Sequence, residues 1–106
     1  MSTNDLLQWV QQYYASCCNG DWEHGEGVSI ETLDNPGWYV RINLQDTTLA
    51  RQAFERIEIE HDEQNWYFCW IEDCKFHGAG GVYNLITILT IFRDWVERVD
   101  PLVDRA

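Results

Sequence analysis

The sequence predicts an α+β fold: a four-stranded antiparallel meander with an N-terminal and a C-terminal helix packed on one sheet face, in the order α-β-β-β-β-α. Three observations carry this. Apolar residues recur at three- and four-residue steps near both ends of the chain, they alternate with polar residues through its middle, and the alternating runs are separated by residues that favour turns. With 106 residues there is room for one domain, spanning 1–106, and one core.

Near the N-terminus, Ser2, Thr3 and Asn4 offer capping side chains, and Leu6, Trp9, Val10, Tyr13 and Cys17 then fall on one helical face. This predicts a helix over about 4–18. Asn19 and Gly20 can take the left-handed conformation that ends it, so a loop follows. From Val28 the period changes to two: Val28, Ile30 and Thr32 face one way, and Ser29, Glu31 and Leu33 the other. Asp34-Asn35-Pro36-Gly37 supplies a proline for the turn and a glycine where positive φ can be needed. Trp38, Val40, Ile42 and Leu44 return as a second, antiparallel strand.

Residues 45–54 break the alternation and read as a coil that tucks Leu49 and Phe54 onto the core. Ile57 and Ile59 mark a third strand. Asp62-Glu63-Gln64-Asn65 is a turn into a fourth, Trp66 to Glu72, whose two faces are both apolar enough to bury, so its register stays open. Gly78, Gly80 and Gly81 read as a flexible crossing to a last helix, with Leu85, Ile88, Leu89, Phe92, Trp95 and Val99 on one stripe and Pro101 as its stop.

Composition narrows the function. Seven Lys and Arg against eighteen Asp and Glu leave a net charge of −11, which repels nucleic-acid phosphates and anionic membranes and attracts basic surfaces. Six Trp, five Tyr and four Phe argue for a packed core rather than disorder. The N-terminal sequence lacks the basic and long apolar regions of a signal peptide, and no apolar run is long enough to span a bilayer. A cytoplasmic protein is expected, with Cys17, Cys18, Cys69 and Cys74 as free thiols.

Four clusters could carry chemistry. Asp21, Glu23 and His24 join acid to imidazole, but side chains adjacent in a loop diverge more often than they converge, and solvated polarity around an anchoring Trp22 explains them as well. Cys69, Cys74 and His77, with Cys17 or Cys18, could form a tetrahedral zinc site. The C-x4-C-x2-H spacing is not a standard one, and small buried apolar groups are the better account. The HGAGG run lacks the Lys-Ser/Thr of a phosphate-binding loop. Finally, Glu58 and Glu60 could share the open sheet face with Glu31, Tyr39 and Arg41 and, given the appropriate register of strand four, with Phe68, Trp70 and Glu72. Aromatic anchors ringed by charge are what a protein interface uses, although an ordinary solvated face has the same composition. No metal or other cofactor is expected.

GDWEH at 20–24, ETLDNPGW at 31–38, and WIEDCKFHGAGG followed by Asn84-Leu85 together resemble the bacterial immunity protein 53 family over nearly the whole chain. The resemblance implies an α+β immunity protein of bacterial polymorphic toxin systems that neutralises a toxin, and the leading expectation built on it is a non-enzymatic inhibitor that binds a cognate protein toxin domain directly and non-covalently. Family-typical positions are Gly20, Asp21, Trp22, Glu23 and His24, then Asn35, Pro36, Gly37 and Trp38, and Gly78, Gly80 and Gly81. Cys17, Cys18 and Cys74 fall outside that pattern, which weakens the zinc reading. The expected contact set is Asp21, Trp22, Glu23, His24, Glu31, Tyr39, Glu58, Glu60, Phe68, Trp70 and Glu72, meeting a basic toxin surface such as a nuclease active site. Trp22 is expected to be a contact whose truncation spares the fold. The rivals are a small enzyme using the Asp21/Glu23/His24 loop or a cysteine thiol, and a homodimeric interaction module with no toxin; both monomer and homodimer remain open.

Overall fold

In a computed structural model, residues 3–99 are described, with side chains from Asp5 onward. Two helices, α1 (Thr3–Cys17) and α2 (Leu85–Val99), flank five strands: β1 (Val28–Leu33), β2 (Gly37–Asn43), β3 (Ile57–Glu60), β4 (Trp66–Glu72) and β5 (Lys75–Gly80). The capping side chains at residues 2–4 and the stop at Pro101 lie outside the described side chains. The predicted stripes are the buried ones. Leu6, Trp9 and Tyr13 of α1 and Ile88, Leu89, Phe92 and Trp95 of α2 enter one core with Val40, Ile42, Leu44, Leu49, Cys69 and Phe76.

The sheet corrects the expected four-stranded meander. It has five antiparallel strands in the order β1-β2-β5-β4-β3, so the stretch read as a flexible glycine crossing is the central strand. The reason lies in the turn between β4 and β5. Asp73 and Cys74 both take positive φ, 55° and 58°, and close a two-residue hairpin in which Glu72 pairs with Lys75. Such a turn needs left-handed backbone at both central positions and is usually written with Asn-Gly, so Asp-Cys gives little sign of it. Glycine also weakens any strand reading, and here it serves close packing: a Cβ on Gly78 would stand 2.4 Å from Ile88 Cγ2, inside contact distance. The glycines let α2 lie close over the centre of the sheet.

Pairing places Val40, Gly78, Cys69 and Ile57 in one row, with Ile42, Phe76 and Ile71 in the next. These point toward the helices. Phe92 packs at their centre, with ring centroids 5.0 Å from Phe76 and 5.1 Å from Tyr13. Leu49 and Phe54 do tuck onto the core, Phe54 edge-on to both Phe76 and Trp95. Burial pushes the Cys69 thiol up to about 12, so it behaves as a small apolar group. Gly37 ends the Asp34–Pro36 turn without positive φ; its requirement is space, because a Cβ there would stand 2.3 Å from Gly80 O.

Candidate functional site

Neither helix packs on the other face of the sheet. Its rows run Glu31–Tyr39–Ala79–Phe68–Glu58 and Ser29–Arg41–His77–Trp70, with Glu60 opposite Trp66 and Glu72 opposite Lys75 at the margins. The register of β4 therefore puts Phe68 and Trp70 outward and Cys69 inward. Small side chains are needed beneath α2, where Gly78 and Cys69 lie side by side, and the bulky aromatics take the unobstructed side. Glu31, Tyr39, Glu58, Glu60, Phe68, Trp70 and Glu72 are thus brought onto one face.

At its centre is a residue absent from the expected contact set. His77 is only 8% exposed although no helix covers it. Its ring stacks on Trp70 with centroids 5.2 Å apart and planes 9° apart, and Nε2 lies 3.1 Å from Glu72 O while Nδ1 lies 2.6 Å from the Tyr39 hydroxyl. A carbonyl only accepts, so Nε2 donates to Glu72 O, while Nδ1 is bonded to the Tyr39 hydroxyl. Both nitrogens are engaged. The sequence signal for His77 was the alternation Lys75, His77, Ala79 against Phe76, Gly78, Gly80, hidden by the glycines.

Charges on this face are mostly matched. Arg41 pairs with Glu26 at 3.4 Å and Glu31 at 4.0 Å, and its guanidinium lies over the Tyr39 ring. Arg56 bonds Glu58 and lies 5.4 Å from the Trp70 ring centroid. Trp70 in turn donates its indole N–H to Glu72 Oε1 at 3.1 Å. Of the four glutamates predicted for this face, Glu60 has no such side-chain partner among the described residues.

The GDWEH loop lies elsewhere, at the Asn43 end of β2, roughly 20 Å along that strand from the Asn35–Pro36 turn at about 3.3 Å per residue. Trp22 is 5% exposed, donates its indole N–H to Asn43 O at 3.0 Å and packs against Tyr14. This corrects its expected place as a surface contact: truncating it would remove the loop's anchor. Glu23 is also used locally. Its carboxylate accepts its own backbone N–H and those of Asn19 at 2.9 Å and Gly20 at 2.8 Å, and these bonds, the first above all, hold its pKa below the ordinary carboxylate value. Asp21 and His24 are exposed.

Cys69 points to the inner face and His77 to the outer, so the C-x4-C-x2-H spacing does not converge on one point. Among the described residues no three His, Cys, Asp or Glu side chains gather to hold a metal ion, and no helix is long and apolar enough to cross a membrane.

The family model described as Immunity protein 53 matches residues 7–97. The chain belongs to the Immunity protein 53 family. No curated protein and no solved structure matches it. The Immunity protein 53 match spans the whole sheet and the GDWEH loop, so the outer face and its His77 centre lie within the family's own extent rather than in an appended segment.

Proposed function

We propose that this chain is a bacterial, cytoplasmic immunity protein that neutralises a cognate polymorphic toxin by direct, non-covalent binding through the outer face of its sheet. The observation that carries the reading is that face itself: Tyr39 and Trp70 flank a buried His77, Phe68 lies on the same face, and Glu31, Glu58, Glu60 and Glu72 border them, with no helix packed over them. Aromatic groups held rigidly by their neighbours lose little entropy on binding, and a net charge of −11 steers the molecule toward a basic surface such as a nuclease active site. Family membership supports a toxin as the partner. An enzymatic role is less well supported, because both nitrogens of His77 are already bonded and Glu23 serves its own loop.

The test is growth protection against a candidate toxin co-expressed from a neighbouring gene, with association rates measured on the purified pair. Wild-type chain is expected to protect and to form a 1:1 complex. The paired changes Glu58→Lys and Glu60→Lys are expected to slow association by about tenfold or more at low salt, with the fold retained. Unchanged association would sink this choice of surface, and catalytic, substoichiometric protection would sink the binding mechanism.

A further inference from the structure

One end of the outer face is a groove. It runs between the Asn35–Pro36 turn and the turn from His61 to Gln64, with a volume of about 890 Å³. Trp66 and Phe68, their ring centroids 5.5 Å apart, line it together with Glu60, His61, Asp62 and Glu63. Asp62 is occupied within its turn, accepting the N–H groups of Gln64 at 2.8 Å and Asn65 at 3.0 Å. The carboxylates of Glu60 and Glu63 have no hydrogen-bond or ion-pair partner among the described residues, and both residues are exposed.

The same two strands show what completes such an arrangement. At the other end of the β3–β4 ladder, the Arg56 guanidinium lies over Trp70 and bonds the carboxylate of Glu58, making a cation–aromatic–carboxylate set within the chain. Farther along the ladder and on the same face, Trp66, four residues from Trp70, stands directly opposite Glu60, two residues from Glu58. Here the aromatic ring and the carboxylate recur, bordering an open groove that His61 also lines, and no Arg or Lys among the described residues pairs with Glu60. We propose that this groove takes an arginine side chain of the partner protein, its guanidinium lying on Trp66 and bonded to Glu60. Arginine fits better than lysine because a planar guanidinium stacks on an aromatic face while its fork of donors meets a carboxylate. The local charge has the complementary sign, and the groove joins the outer face through Phe68, so a protein seated on that face would enter it. This inference rests on the outer-face reading and specifies its partner chemistry.

The test is a ¹H–¹⁵N NMR titration of the full chain with the peptide Ac-Gly-Arg-Gly-NH2, beside its lysine and citrulline counterparts. The arginine peptide is expected to shift the Trp66 indole N–H and the amides of residues 60–66 saturably. Citrulline, of the same shape but uncharged, should bind about tenfold more weakly and lysine about threefold more weakly. Glu60→Gln should weaken the arginine peptide about fivefold, while Glu55→Gln, exposed and outside the groove, leaves it unchanged. Absent or non-saturable shifts, shifts centred on Trp70, or equal binding of the three peptides would overturn the proposal. Growth protection is scored separately: protection by the wild-type chain with no peptide response removes the groove and keeps toxin neutralisation, whereas loss of protection with an intact peptide response removes the neutralisation reading.

Discussion

The two faces of β5 reach burial by opposite means. On the inner face, Gly78 and Gly80 give up side chains so that α2 can approach, and Phe76 meets Phe92 in a dry core. On the outer face nothing approaches, and His77 is buried by its own neighbours, Trp70 stacked beside it and Tyr39 bonded to it. The inner face is closed by secondary structure. The outer is closed by side chains alone, so it is ordered without being covered, which is the condition a preformed binding surface must meet.

The inner face should be the less forgiving. Gly78→Val places a branched side chain where even a Cβ would stand 2.4 Å from Ile88 Cγ2, and it is expected to cost about 1–3 kcal/mol in urea unfolding through displacement of α2. A neutral result would mean that the two faces are equally loose, and the contrast would collapse. On the outer face His77→Ala leaves the Tyr39 hydroxyl and Glu72 carbonyl without their partner and is expected to cost about 1–2 kcal/mol. Its sharper signature is functional: Trp70 loses its stacking partner, so toxin affinity should fall further than stability does. A fall in stability alone would make His77 a structural residue only.

A smaller effect belongs to neither face. Because Glu23 has its folded-state pKa lowered, its contribution to stability is present above the ordinary value of 4.5 and is lost as pH falls through the depressed folded value. Glu23→Gln should therefore flatten the acid side of the stability profile, read as urea midpoints from pH 6 to pH 3, and leave toxin affinity unchanged. A steep loss of affinity in that variant would move the binding surface back to the GDWEH loop.

The inner layer was largely legible from sequence because helical and strand periods are properties of local spacing. Leu6, Trp9 and Tyr13, and Ile88, Phe92 and Trp95, state their faces without reference to anything distant. The strand order was not legible. Pairing of β2 with β5 depends on an Asp73–Cys74 turn that carries no Asn-Gly signature and on glycines whose use is to admit a helix that follows them in the chain. The outward register of Phe68 and Trp70 was undecidable for the same reason: both sides of β4 are apolar, and the close approach of α2 selects between them. Trp22 shows the reverse error. An uncommon aromatic in a polar loop resembled a contact, and its indole is spent on Asn43.

The place of β5 also shapes how the molecule comes into being. Each hairpin, β1–β2 and β4–β5, closes over a short stretch of chain, but the contact that welds them joins Trp38 to Gly80 and must wait for a long loop to close. On the ribosome the first hairpin emerges with an unpaired edge, and the sheet is completed only when the central strand arrives, just ahead of α2. Assembly is thus back-loaded: a truncated nascent chain ending before residue 75 has the outer strands without the one that unites them, so the outer face is incomplete until β5 is in place.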